Sequence, residues 1–370
     1  MNNAPSAVRD QGNFIAPRPQ WLALEQEPVL EPELRIVDPH HHLWDRPGDR
    51  YLLDEFLADC GSGHRIEATV FVECRAMYRR DGDELFRSLG ETEFVNGIAA
   101  MSASGGYGLT RVADAIVGRV DLRFGDEVER ALDAHLAVAG GRLRGIRNGS
   151  AWDAGGVRTM QVSPPPGLLA DASFRRGFAC LARAGLCFDA WLLHPQIGEL
   201  DDLARRFADT TIILDHVGGP LGVGRFAGRR SEVFTEWRAS IRRLAACENV
   251  HVKLGGLGMH TAGFDFHLQA RPPSSEALAR AWKPYVETCI EAFGVGRCMF
   301  ESNFPVDKGS CSYRHLWNAF KRICADASLD QKRALFAETA AKVYRLQGAT
   351  TSPQARIDRA SSGRPTDHPD

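Results

Sequence analysis

Leu34-Arg35-Ile36-Val37-Asp38-Pro39-His40-His41-His42-Leu43-Trp44 is the stretch on which the reading of this chain turns. Its apolar start suits a buried β-strand, and the strand runs out in histidines instead of turn residues. Residues two apart on an extended strand share a face, so His40 and His42 present two imidazoles to one point. A neutral imidazole is a frequent ligand for zinc and its neighbours, and a pair on a strand end has little freedom left to lose. A divalent metal is the expected occupant. The structural alternative is that one ring caps a helix or binds a loop carbonyl.

Outward from this point the chain alternates short apolar runs with longer amphipathic segments, the pattern of repeated β-α units. Strands are expected over residues 34–40, 67–73, 115–122, 142–148, 186–192, 211–216, 249–255 and 297–303. Helices are expected over Phe174 to Ala184, Ile197 to Phe207, Val233 to Ala246, Glu276 to Phe293 and Gln331 to Leu346. A further apolar stretch, Phe94 to Met101, has i, i+4 spacing and follows Glu91-Thr92-Glu93, which suits a short helix. Eight such units close into a single-domain α/β fold, a (β/α)8 TIM barrel, whose chemistry sits at the C-terminal strand ends. An open doubly wound sheet would carry a glycine-rich phosphate loop after its first strand. The Gly-Gly pairs at 105, 140, 155, 218 and 255 follow no such pattern and read as loop and turn punctuation. Residues 1–33 read as an N-terminal arm wrapping the 34–346 barrel, and 347–370 as a disordered, flexible tail.

Composition narrows the partners. The chain has 370 residues, 44% hydrophobic and 25% charged, with a net charge of -2, which gives no basic field for nucleic acid. No run approaches the ~20 apolar residues that span a bilayer, and Met1 to Gln20 has no apolar signal core, so neither membrane nor export is expected and the cytoplasm is. Nine cysteines with no C-x-x-C pair read as reduced thiols, several of them (Cys74, Cys187, Cys298) inside strand-like runs. A small-molecule substrate is the expected partner, with a homodimer left open.

The other strand ends carry chemistry as well. Strand five runs into His194 and strand six into His216. Strand eight carries Glu301 and Asn303 on one side, with Glu301 one layer deeper, and Glu73 ends strand two. A carboxylate inside a barrel needs a partner. It is either in an ion pair, with Arg75, Arg147 or Lys253 as counter-charge, or it ligates metal or moves protons. Arg147, Lys253, Arg75, Tyr78 and Trp191 at further strand ends would complete a pocket for a carboxylated or polyhydroxylated substrate.

In combination these motifs resemble the amidohydrolase superfamily, in its amidohydrolase-related branch with lactonases for sugar lactones and pyrone dicarboxylate. The resemblance rests on Asp38-x-His40-x-His42-x-Trp44, Leu143-Arg-Gly-Ile-Arg147, His194-Pro-Gln196, Leu214-Asp-His216-x-Gly218-x-Pro220, Val252-Lys-Leu254-x-Gly256 and Glu301-Ser-Asn303-Phe-Pro-Val306. It implies a barrel hydrolase, metal-assisted or metal-independent. His40, His42 and His194 look like the metal-ligand or substrate-polarising set, with zinc ahead of manganese, and His216 is a further site histidine. The departure is in strand eight, where the family pattern Gly-Ser-Asp-Trp-Pro has its metal-binding or basic Asp and this chain has Asn303. An amide takes no proton near neutral pH, so Glu301 or Glu73 is expected to activate water instead, with Asp307 as an alternative. The expected function is hydrolysis of a lactone. Non-oxidative decarboxylation or hydration of an aromatic-derived acid comes second, and a non-catalytic ligand-binding barrel third.

Overall fold

The computed structural model of the protein describes residues 14–159 and 162–346. Eight parallel strands run in sequence order around a nearly closed barrel: β1 (Arg35–His41), β2 (Arg65–Val72), β3 (Arg111–Gly118), β4 (Leu143–Arg147), β5 (Cys187–Ala190), β6 (Ile212–Leu214), β7 (Val250–Leu254) and β8 (Cys298–Phe300). The last two expected strands and β6 are shorter than expected because their C-terminal residues leave the ladder to form the mouth. The seam between β8 and β1 closes by single bonds beyond the end of β8: Asn303 N–H donates to the His40 carbonyl at 2.9 Å, and His42 N–H to the Phe304 carbonyl at 2.8 Å. The Asp38 carboxylate joins in, accepting from Ser302 N–H at 2.9 Å and from the Tyr313 hydroxyl at 2.9 Å. Pro39, which has no N–H, occupies this seam without leaving a donor unpaired.

The expected helices are present with their bounds shifted by a few residues: Ala172–Arg183, Ile197–Arg206, Arg230–Leu244 and Ser275–Phe293. The Phe94 to Met101 stretch lies within a helix, Leu89–Ala103. Side-chain caps set two of the starts, Asp171 accepting from Phe174 N–H at 2.7 Å and Ser274 from Ala277 N–H at 3.3 Å. The helices bury their apolar faces on the outside of the sheet. The barrel interior is filled by small residues, among them Val37, Ala68, Val70, Ala115 and Val117.

The last helical segment does not run straight from Gln331 to Leu346: a π-helical turn, Ala334–Glu338, separates Leu329–Arg333 from Thr339–Val343. That turn and its successor pack Ala337, Ala340 and Tyr344 against the barrel floor. All nine cysteines are free, and eight are buried. Among the described residues no helix is long and apolar enough to cross a membrane. The part of the arm that is described, from Phe14 on, lies along the barrel wall. The expected tail lies outside the described residues.

Candidate active site

The loops after β1, β2, β4, β5, β6 and β7 and the chain beyond β8 surround a cleft lined by His42, Glu73, Arg75, Arg147, Trp191, His216 and Asn303. Beneath it lies a second layer of charged groups with no access to solvent: His40, Asp189, Asp215, Lys253 and Glu301 are all 0% exposed. The two layers meet at the histidines.

Glu301 organises them. One carboxylate oxygen, Oε1, lies 2.7 Å from His216 Nδ1 and also accepts the His216 backbone N–H at 3.1 Å. The other, Oε2, is 2.9 Å from His40 Nδ1. Burial alone would raise the Glu301 carboxyl, but the neighbouring His216 and His40 rings outweigh it and bring the pKa down to about 2. With Nδ1 occupied by a permanent carboxylate, Nε2 is the nitrogen of His216 left for the mouth.

Local backbone makes this pairing fit. His216 and Val217 both adopt left-handed conformations (φ 54° and 48°), uncommon for residues with a Cβ and costly for a β-branched one. The Trp237 indole holds the turn by donating to the Val217 carbonyl at 2.7 Å. Gly255 and Gly256, which follow β7, leave the space: a Cβ on the first would sit 2.4 Å from Glu301 Cγ, and on the second 2.5 Å from the His216 ring. The reading of this pair as turn punctuation is therefore corrected. These glycines are where the backbone makes way for two functional side chains.

His42 has the same polarity as His216. Its Nδ1 lies 2.8 Å from the Val72 carbonyl, which can only accept, so Nδ1 carries the proton and Nε2 keeps its lone pair. Burial holds this ring neutral, its pKa well below the ordinary value. Arg147 spans both layers. Its Nε donates to Glu73 Oε1 at 3.0 Å, Nη2 donates to the Glu73 carbonyl, and Nη1 lies 3.4 Å from Asp215 Oδ2 and 3.3 Å from His40 Nε2. Glu73 thus has an ion-pair partner, yet its other oxygen, Oε2, has no hydrogen-bond partner although buried in the wall of the cleft.

Besides the buried His40, four expected site residues do not line the cleft. Lys253 does not reach the cleft. Its ammonium lies 2.5 Å from Asp189 and 3.1 Å from Asp215, and these carboxylates raise its pKa against the opposing effect of burial. Tyr78 is under the rim, with the Arg75 guanidinium 5.5 Å from its ring centre, and does not line the cleft. His194 is apart from His40 and His42. Its Nδ1 accepts from Leu221 N–H at 3.3 Å, its ring packs on Phe226, and burial takes its pKa down to about 4. Glu301, expected to activate water itself, is walled off from the cleft, and its contact toward the mouth is with His216.

Asp189 and Asp215 did not emerge from the sequence as site residues. The signal was there: a lysine inside a strand of a buried barrel needs counter-charges, and besides Glu301 after β8 the carboxylates on that side of the barrel are Asp189 on β5 and Asp215 after β6. Asp189 also accepts from the Tyr344 hydroxyl at 2.8 Å, which ties the barrel floor to the charged layer. Burial and nearby Asp215 raise the Asp189 pKa to about 6 in spite of Lys253. Asp307, the alternative base, holds Asn303 in place. Its Oδ1 accepts from Asn303 Nδ2 at 2.8 Å and its Oδ2 from Gly258 N–H at 2.9 Å, which leaves the Asn303 carbonyl oxygen for the cleft. Burial raises the Asp307 pKa to about 7.

A divalent ion has donors here. His40, Asp215 and His216 each offer one ligand atom, all within 4.8 Å of one another, and two imidazoles with a carboxylate suit zinc. Asp215 Oδ1 and Glu301 Oε2 make no hydrogen bond, but each already faces a nitrogen, Lys253 Nζ 3.1 Å from the first and His40 Nδ1 2.9 Å from the second. This set shares only His40 with the expected ligands, His40, His42 and His194.

Residues 37–346 match the amidohydrolase family model, and the chain belongs to that family. It is an amidohydrolase-related hydrolase. It is 34% identical over 337 residues to an uncharacterised protein of Sinorhizobium fredii, covering 85% of this chain and 99% of that one. It is 28% identical over 324 residues to an L-fucono-1,5-lactonase of Burkholderia multivorans, covering 84% of this chain and 96% of the lactonase. The crystal structure of an amidohydrolase from Burkholderia multivorans with bound zinc superposes with a TM-score of 0.65 at 25% identity, over 84% of this chain and 99% of the other.

Proposed function

We propose that the protein opens a lactone, with His216 as general base and Glu301 as the carboxylate that positions it. The observation that carries this reading is the 2.7 Å contact between Glu301 Oε1 and His216 Nδ1, which keeps Nε2 unprotonated and aimed at the cleft and stabilises the imidazolium formed when water gives up its proton. The absence of the usual strand-eight Asp is then compensated. Its proton-accepting task moves to the ring, and Glu301, two residues earlier, supplies the negative charge from below.

The carbonyl under attack needs positive charge where its oxygen becomes an oxyanion, and Arg147, fixed on three sides by Glu73, Asp215 and His40, offers a preorganised guanidinium in the cleft wall. The unpartnered Glu73 Oε2 and the Asn303 carbonyl oxygen are acceptors for substrate hydroxyls, and Arg75 can take a carboxylate. Opening a cyclic ester asks little of a leaving-group acid, because the departing alkoxide can recover the proton that His216 holds.

A divalent ion held by His40, Asp215 and His216, zinc first and manganese second, would add Lewis-acid polarisation of the carbonyl. As an ion ligand His216 cannot also be the base, and the short contact with Glu301 favours the base. The kinship to an L-fucono-1,5-lactonase makes sugar-acid lactones the first substrates to try. The test is pH-stat titration of the purified protein on a lactone panel, before and after chelation. Proton release with at least half the rate kept after chelation supports the reading; carbon dioxide release without acidification, or rates that vanish with the metal, contradict it.

A further inference from the structure

The family match begins at residue 37, yet a residue well before it lines the cleft. Phe14 stands edge-on to Trp44, with ring centres 5.5 Å apart at 80°. Resting on the reading that this cleft is the substrate site, we propose that the arm is one of its walls and that Phe14 selects anionic substrates with a flat apolar face, such as aromatic carboxylates, over open-chain polyhydroxylated acids.

Two lines of evidence support this. The first is that the arm is docked. Ile15 is 5% exposed and lies on Gly309, where a Cβ would come within 2.4 Å of the Ile15 carbonyl oxygen, so this glycine is the seat of the arm. Further along, the Trp21 indole donates to the Gln269 carbonyl at 3.0 Å, and Glu27 accepts from Ser275 Oγ at 2.9 Å and Asn318 Nδ2 at 2.8 Å. A segment fastened at successive points presents Phe14 at little entropic cost on binding.

The second is the chemistry of the wall it joins. Phe14, Trp191 and Met259 give the cleft apolar contacts, and Arg46 and Arg75 give it guanidiniums, Arg46 covering a face of the buried Trp44 at 4.2 Å from its ring centre. Aromatic and apolar side chains beside guanidiniums suit a planar anion, whereas a polyol chain would leave that apolar surface wet.

The proposal is tested by isothermal titration of the full-length protein with benzene-1,3-dicarboxylate and with D-gluconate. The native chain is expected to bind the aromatic diacid more tightly. Phe14→Ala should weaken that binding on the order of tenfold, leave gluconate within twofold, and be rescued by Phe14→Tyr. Gly309→Ala, which pushes Ile15 off its seat, should reproduce the Phe14→Ala pattern from outside the cleft. Unchanged affinity in Phe14→Ala, equal weakening of both ligands, or no binding of either ligand to the native chain would overturn the proposal. Binding with the expected pattern but no lactone opened would defeat the hydrolase reading and leave this one standing. Lactone opening with no effect of Phe14 on binding would do the reverse.

Discussion

The cleft and the layer beneath it are built from the same residue types, yet they do different work. In the cleft, His42, His216, Glu73 and Arg75 each keep an atom free for a ligand. One layer down, Lys253, Asp189, Asp215 and Glu301 are wholly enclosed and spend their polar atoms on each other. Four carboxylates, counting Glu73, face two permanent cations, Arg147 and Lys253, while burial and the nearby Lys253 ammonium push the His40 pKa down. Depth, and not residue type, separates the groups that line the cleft from those packed beneath it.

The largest expected effect tests the link between the layers. Glu301→Gln should fold but lose roughly three orders of magnitude or more in kcat, because an amide opposite His216 Nδ1 no longer fixes the ring or its charge. The same variant has a pH signature. A carboxyl whose folded pKa is lowered to about 2 contributes stability that is complete above its ordinary value and lost as pH falls towards 2. The melting-temperature deficit of Glu301→Gln should therefore be greatest near pH 7 and narrow between pH 4 and 2; a constant deficit would mean that Glu301 is not held ionised.

Lys253→Met sharpens the contrast from below. Removing one member of a buried ion-pair cluster should cost on the order of 3–5 kcal/mol in urea unfolding, because Asp189 and Asp215 lose their counter-charge. KM for an acidic substrate should rise no more than it does for a neutral one, since Lys253 does not reach the cleft. A rise confined to acidic substrates would put Lys253 back in the binding site.

Arg75→Ala is the mirror case and a smaller effect. Stability should change by less than about 1 kcal/mol, as for other partly exposed positions, whereas KM for a carboxylated substrate should rise about tenfold. The smallest effect is expected of His194→Ala, with kcat/KM and bound metal within about twofold of the native protein, because its Nδ1 is taken by Leu221 N–H, its ring packs on Phe226, and its unpartnered Nε2 does not line the cleft. Loss of metal in that variant would restore His194 to the ligand set.

The sequence carried the barrel almost completely, because β-strand runs ending in histidine, arginine or glutamate recur at the spacing of β-α units, and each is a local signal. It also carried the period-two logic that placed Glu301 beneath Asn303. Burial depth was not legible: nothing local distinguishes Lys253, enclosed by Asp189 and Asp215, from Arg75 at the rim. Nor was the choice between His194 and His216, since both follow strands, and what separates them is a left-handed turn at His216 and a glycine after the next strand, Gly256, that admits its ring. Asp215 was hidden by its neighbour, and Phe14 by the absence of any periodic signal in the arm.

The central claim is that Glu301 acts only through His216, and a double-mutant cycle on kcat/KM tests it most directly. His216→Ala, Glu301→Gln and the double variant are expected to fall to nearly the same residual rate, because a base and the group that positions it form one unit. If the two losses multiply in the double variant, Glu301 has a task of its own in the reaction, and the division between the cleft and the layer beneath it does not hold.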